Sequence, residues 1–250
     1  MSEGRVIQRH DEAIVLRTWP FLEADLLVSL FTREHGRVKG VARHALRSRR
    51  RFGGALEPMT HVRASYSERP RQELVRMDAF EILSSPLSRR VDYARTAALE
   101  LLAEVLEEAL PEQAAEDSIF RLAIAVLEEL QVDRVWMPIT YFCLWMNRLL
   151  GWMPELGHCV VCARDLREEK AWYSASSDGL TCEDDRRSGS TALSRDALAM
   201  ARRIFRGPVA ELAAQPWQPQ QYADLRRFSI EVLERHLERR LRSASALARI

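Results

Sequence analysis

The residues best suited to chemistry in this chain are sulfur and arginine. Cys159-Val-Val-Cys162 is a tight pair, and Cys182-Glu-Asp-Asp185 follows after 19 intervening residues. A CxxC knuckle bends the backbone so that two thiolates face one cation, and a second pair at this distance completes a tetrahedral zinc site. Asp185 stands where the fourth cysteine would fall, and a carboxylate oxygen also ligates zinc. His158, next to Cys159, is an alternative fourth ligand, whereas Cys143 lies in an apolar run and reads as core. Two readings stay open. In one, Cys159, Cys162, Cys182 and Asp185 hold a single structural Zn2+. In the other, the segment is a ribbon that lost its fourth cysteine and folds without metal.

The arginines are concentrated in VARHALRSRRRFGGALEP, residues 41–58, which carries Arg43, Arg47, Arg49, Arg50 and Arg51. The whole chain has a net charge of only +1, yet residues 33–51 hold eight Lys/Arg and one Glu. Residues 92–133 hold eleven Asp/Glu and two Arg, and residues 186–250 hold thirteen Arg and six acids. Such segregation points to basic surfaces for a polyanion, separated by an acidic helical region. Guanidinium groups neutralise phosphates, release counterions and stack on bases without reading sequence. The candidate set for nucleic acid is Arg37, Lys39, Arg43, Arg47, Arg49, Arg50 and Arg51, with Phe52 as a stacking ring. Arg239, Arg240 and Arg242 form a second, weaker group. The bland alternative is a solvated loop that aids solubility.

Motifs for covalent chemistry do not occur. There is no GxxxxGK[ST] loop, GxGxxG turn, HExxH helix or GxSxG elbow, and the six histidines show no metal-pair or triad spacing. Glu100, Glu104, Glu107 and Glu108 recur at helical spacing, the pattern of a solvated face. The reading is a binding protein rather than an enzyme.

The elements that must hold these groups follow from periodicity. Runs at 13–18, 25–32, 36–43, 59–67 and 72–82 are short, rich in β-branched and aromatic residues, and separated by His35-Gly36, Gly53-Gly54, Pro58 and Pro70. Five strands in about 80 residues predict a small OB-type barrel. From Pro86 the period becomes helical: 93–110, 118–131, the almost wholly apolar 139–151, 194–207 and 222–241. The fold class is therefore α+β. Its expected parts are a nucleic-acid-binding OB barrel (1–83), a helical domain (84–154 and 191–250) and a zinc-ribbon-like insert (155–190). Trp136, Tyr141, Phe142 and Trp145 read as helical core, part of which can line a groove for a partner's apolar tail. Arg121 and Arg148 are candidates to pair with that partner's carboxylates. No apolar run reaches the roughly 20 residues of a membrane span, and the N-terminus has no apolar signal region, so the expected location is the cytoplasm.

Several of these stretches together resemble the RecO family of bacterial DNA-repair proteins. They are EADLLVSLFTREHGRVKGVAR, RRRFGGALEP, LGHCVVCAR (156–164), DGLTCEDD (178–185) and the closing RHLERRLRSASAL (235–247). The resemblance implies an N-terminal OB domain, a helical domain and a cysteine-bearing insert that binds zinc in some members. It implies a recombination mediator that binds single- and double-stranded DNA, anneals complementary strands and works with RecR. Such a protein helps load RecA onto DNA coated by single-strand-binding protein, whose acidic tail meets the helical domain, and it associates with the nucleoid. An alternative is a scaffold bridging single-strand-binding protein and RecR, with incidental DNA contact.

Overall fold

The computed structural model describes residues 6–48, 50–70, 72–131, 134–214, 216–247 and 249. The chain forms two compact units, Met1–Leu127 and Glu128–Ile250.

The first unit is built on five strands: β1 (Ile7–Pro20), β2 (Leu26–Thr32), β3 (Gly36–Ala42), β4 (His61–Glu68) and β5 (Val75–Ser84). The sheet closes on itself in the order β1-β2-β3-β5-β4. Strand β1 pairs antiparallel with β2 along its second half and with β4 along its first. Strand β3 pairs with β5 in parallel, Gly40 opposite Val75. A bulge between Val15 and Arg17 lies where β1 passes from one partner to the other, and it adds the local twist that curls a sheet. Alternate residues point inward: in β3, Gly36, Val38, Gly40 and Ala42 are buried and the residues between them are half-buried. The core gathers Val15, Val28, Leu30, Val62, Tyr66 and Met77.

The sequence placed the start of the first strand at Ala13, whereas β1 begins at Ile7. His10, Asp11 and Glu12 break the apolar pattern but continue the ladder opposite β4. Their side chains have local partners: His35 Nδ1 lies 2.8 Å from Asp11, and His61 Nε2 lies 2.8 Å from Glu12.

Helices α1 (Tyr93–Ala109) and α2 (Asp117–Glu129) follow the sheet. Asp92 caps α1 by accepting the amide of Arg95 at 2.8 Å. Helix α1 packs on β1 and β2, and Phe120 of α2 stacks tilted on Phe31 at 5.5 Å. The acidic face of α1 is not wholly solvated, as its spacing suggested. Glu104 and Glu107 are buried, and Glu107 pairs with Arg37 and Lys39 of β3. Gly36 lies against the segment that joins α1 to α2: a Cβ there would lie 2.1 Å from the Ala114 carbonyl, and its φ of +70° also favours glycine.

The second unit contains α3 (Trp136–Leu149), strands β6 (Ala171–Tyr173), β7 (Leu180–Thr181) and β8 (Thr191–Leu193), and helices α4 (Arg195–Ile204), α5 (Val209–Leu212), α6 (Ala223–His236) and α7 (Arg242–Leu247). Helix α3 is buried nearly all round and packs on α6, where the Asn147 amide donates to the Ser229 carbonyl at 2.8 Å. The expected last helix, 222–241, ends earlier, at His236, near Glu238 with its positive φ of +54°, and a further short helix, α7, follows beyond its expected end. The cysteine segment is less irregular than expected: β7-β6-β8 form a small antiparallel sheet. Tyr173 of this sheet meets Phe228 of α6 edge-on at 5.0 Å.

Candidate nucleic-acid interface and metal centre

Strand β3 delivers the chain to the basic segment. Beyond Ala42, His44 adopts a left-handed conformation, and its amide donates to Asp25 Oδ1 at 2.7 Å. A 3-10 turn, Ala45–Arg47, follows. The loop is then pinned twice. Phe52 enters the sheet core, 2% exposed, and meets Phe80 edge-on at 5.4 Å. Arg51 closes the loop on itself: Nη2 donates to the Arg43 carbonyl, Nε donates to Ser48 Oγ at 3.1 Å, and its own carbonyl accepts the Phe80 amide at 2.8 Å. Its guanidinium lies 5.1 Å from the Phe52 ring.

This geometry sorts the expected contact residues. Arg43, Arg47 and Arg50 are exposed, and no ion pair or side-chain hydrogen bond engages them among the described residues. Arg49 lies outside the described residues. Arg51 is half-buried and structural. Phe52 is core and cannot reach a base while it fills that place. Arg37 and Lys39 are paired with acids of α1 and of the segment that follows it. Arg37 donates to Glu107 at 2.8 Å and to the Leu110 carbonyl at 3.1 Å, and Lys39 pairs with Glu112 at 3.1 Å. Alternation leaves Arg37 and Lys39 on the same face as Arg43, and which acids the fold would bring to them is not visible in spacing.

Arg239, Arg240 and Arg242, beyond the end of α6, are exposed. Arg240 pairs with Glu234 at 2.7 Å, and Arg239 and Arg242 also have interactions within the chain. The two arginines suggested for a partner lie in different units. Arg121 pairs with Asp117 one turn away at 3.0 Å. Arg148 lies 4.7 Å from the ring of Phe205 and 5.4 Å from that of Trp145. Trp136, Tyr141 and Phe142 are buried, as core residues should be.

The four expected metal ligands do converge. One atom from each of Cys159, Cys162, Cys182 and Asp185 lies within 4.8 Å of the others. Cys162 Sγ and Cys182 Sγ are 3.7 Å apart, and Asp185 Oδ2 is 3.2 Å from Cys159 Sγ and 3.1 Å from Cys182 Sγ. Tetrahedral zinc with bonds of about 2.3 Å to sulfur sets its sulfurs about 3.8 Å apart, so the donor set fits. The backbone is shaped for it. The Val161 amide points at Cys159 Sγ at 3.5 Å, and Ala163 takes a φ of +59° while its amide returns to the Cys159 carbonyl at 2.9 Å. The thiols of Cys159 and Cys182 donate to the Asp185 carboxylate. The Asp185 carboxylate pushes the Cys162 thiol up to about 12 and raises that of Cys182 as well. A divalent cation reverses that logic by favouring all the deprotonated forms. His158 instead hydrogen-bonds Glu155 through its amide at 2.7 Å, and Cys143 is buried in α3.

A second convergence is absent from the sequence reading: Asp11, Glu34 and His35 also place ligand atoms within 4.8 Å. Asp11 there accepts the Glu34 amide at 3.2 Å and faces the His35 ring, so its oxygens have protein partners.

Residues 6–86 match the family model for the recombination protein O N-terminal region, and residues 90–245 match that for its C-terminal region. The chain is 51% identical over 242 residues to the DNA repair protein RecO of Koribacter versatilis, covering 97% of this chain and 99% of the relative. It is 32% identical to the RecO of Anaeromyxobacter sp. (strain K) over 91% of each chain, and 30% identical to that of Bifidobacterium adolescentis over 95% of this chain and 98% of the relative. The two models cover both units almost end to end, and the chain belongs to the RecO family of DNA repair proteins.

Proposed function

We propose that this protein is a recombination mediator that binds single- and double-stranded DNA and anneals complementary strands through an OB-type barrel. The reading is carried by one observation: Arg43, Arg47 and Arg50 stand exposed at the end of β3, with no ion pair among the described residues, on a loop pinned by Arg51 and Phe52. The parallel closure of β3 with β5 supports the OB assignment. Complementary strands repel each other through their phosphates. A rigid cationic rim lowers that repulsion while leaving Watson–Crick edges free, so base pairing reads the sequence and the protein needs no base-specific contact. Covalent catalysis has no part in this scheme.

In the same proposal the protein acts with RecR to load RecA onto DNA coated by single-strand-binding protein. Arg148, which lies close to the rings of Phe205 and Trp145, and Arg121 are its candidate contacts for that protein's acidic tail. Arg239, Arg240 and Arg242 are a second DNA-facing group. Cys159, Cys162, Cys182 and Asp185 would hold one Zn2+, whose role is to join the Cys159–Cys162 turn to the turn that follows β7. The proposed setting is the cytoplasm, on the nucleoid; no helix among the described residues is long and apolar enough to cross a membrane.

The test is strand annealing, with and without single-strand-binding protein. Arg43→Glu, Arg47→Glu and Arg50→Glu combined should abolish annealing and leave the thermal melt unchanged. Normal annealing by that variant would remove the basic loop from the account.

A further inference from the structure

With Phe52 in the core, the interface lacks the aromatic ring that the sequence assigned to it. An exposed ring stands nearby. The Pro20–Leu26 pair closes the β1–β2 hairpin, so residues 21–25 form its tip, and Leu26 pairs with Ala42, the last residue before the basic loop. Two hydrogen bonds tie tip to loop: the Leu46 amide donates to the Ala24 carbonyl at 3.3 Å, and the His44 amide donates to Asp25 Oδ1 at 2.7 Å. On this joined surface Phe21 is 47% exposed, Leu22 64% and Leu46 65%. Three large apolar side chains in water, on a surface tied to the loop of three arginines that have no ion pair among the described residues, are costly unless a ligand covers them. A ligand that presents flat apolar faces along an anionic backbone meets both demands, and unpaired nucleotides have that chemistry.

We propose that Phe21, flanked by Leu22 and Leu46, is the base-stacking platform of the interface and gives it a preference for single strands over duplex. A duplex keeps its base faces stacked on one another and offers this surface only phosphates. The proposal rests on the DNA-binding reading above.

The test is fluorescence anisotropy of a labelled oligothymidylate and of a duplex of equal length, with the full chain. Phe21→Ala should weaken single-strand binding about 10-fold, the loss of roughly one stacked base, with the duplex affinity unchanged. The slope of log affinity against log salt should stay the same, since no phosphate contact is removed. Phe21→Trp should retain affinity, and oligothymidylate should quench its fluorescence beyond the change seen with the parent's six tryptophans. Unchanged single-strand affinity for Phe21→Ala, or equal losses for strand and duplex, would overturn the proposal. The arginine variant separates the two readings. If it loses DNA while Phe21→Ala does not, the stacking inference alone fails. If it binds normally, the DNA reading itself fails.

Discussion

Arg37 gives the sharpest test of how the basic segment is partitioned. In the sequence it is one of eight cations in a row of 19 residues. In the fold its side chain is 13% exposed and Glu107 is 9% exposed, and the pair is joined at 2.8 Å with a further bond to the Leu110 carbonyl. Arg37→Met keeps the aliphatic stem and removes the charge. Glu107 then keeps the Ser29 hydroxyl at 2.5 Å and Lys39 at 3.7 Å. Removing one partner of a fully buried pair costs about 3–5 kcal/mol, and the remaining lysine reduces this to about 2–3 kcal/mol. For a cooperative unit of this size that loss lowers Tm by about 8 °C. The assays are a thermal melt and salt-dependent binding of oligothymidylate. The expected result is a lower Tm with an unchanged salt slope. A native Tm with a slope shallower by about 0.7 would mean that Arg37 contacts a phosphate, and the assignment of β3 cations to α1 would be wrong.

Other expectations follow from the same geometry. Arg43→Ala, Arg47→Ala and Arg50→Ala together should reduce the salt slope for single strands by about 2 and the affinity at 0.1 M salt by about 100-fold, read by anisotropy. Glu23→Gln, at the exposed hairpin tip, should tighten binding about twofold. Phe52→Ala should destabilise the first unit by about 3–4 kcal/mol, measured by urea denaturation, because it empties a core position that Phe80 lines. Asp185→Cys should strengthen zinc retention at least about 10-fold in chelator competition, since a fourth thiolate replaces a harder oxygen. Freshly purified parent protein with well under one equivalent of zinc by elemental analysis would remove the Cys3Asp site.

How much of this was legible beforehand differs from element to element. Strands β2 to β5 and helices α1 to α4 begin within three residues of where their periodicities put them, because half-burial writes itself as alternation and amphipathic packing as a 3.6-residue repeat. The polar start of β1 was hidden, because its ladder depends on β4, some 50 residues away. The cluster of Cys159, Cys162, Cys182 and Asp185 was legible for the opposite reason: a CxxC knuckle is a local turn, and only its meeting with the Cys182–Asp185 turn needed the tertiary fold.

By itself the sequence determined the α+β class, the five strands of the first unit, the grouping of Cys159, Cys162, Cys182 and Asp185 that could hold a metal ion, and the presence of a strongly basic segment. Each is a property of nearest neighbours or of a repeat along one element. Only the tertiary structure decided what each charge and ring in that segment does. Arg37 and Lys39 are neutralised by a helix some 70 residues further along the chain. Arg51 and Phe52 brace the loop, Arg43, Arg47 and Arg50 are left to solvent, and Phe21 comes to stand beside them. Whether a charge is free or matched depends on what folds against it through space, and composition carries no record of that.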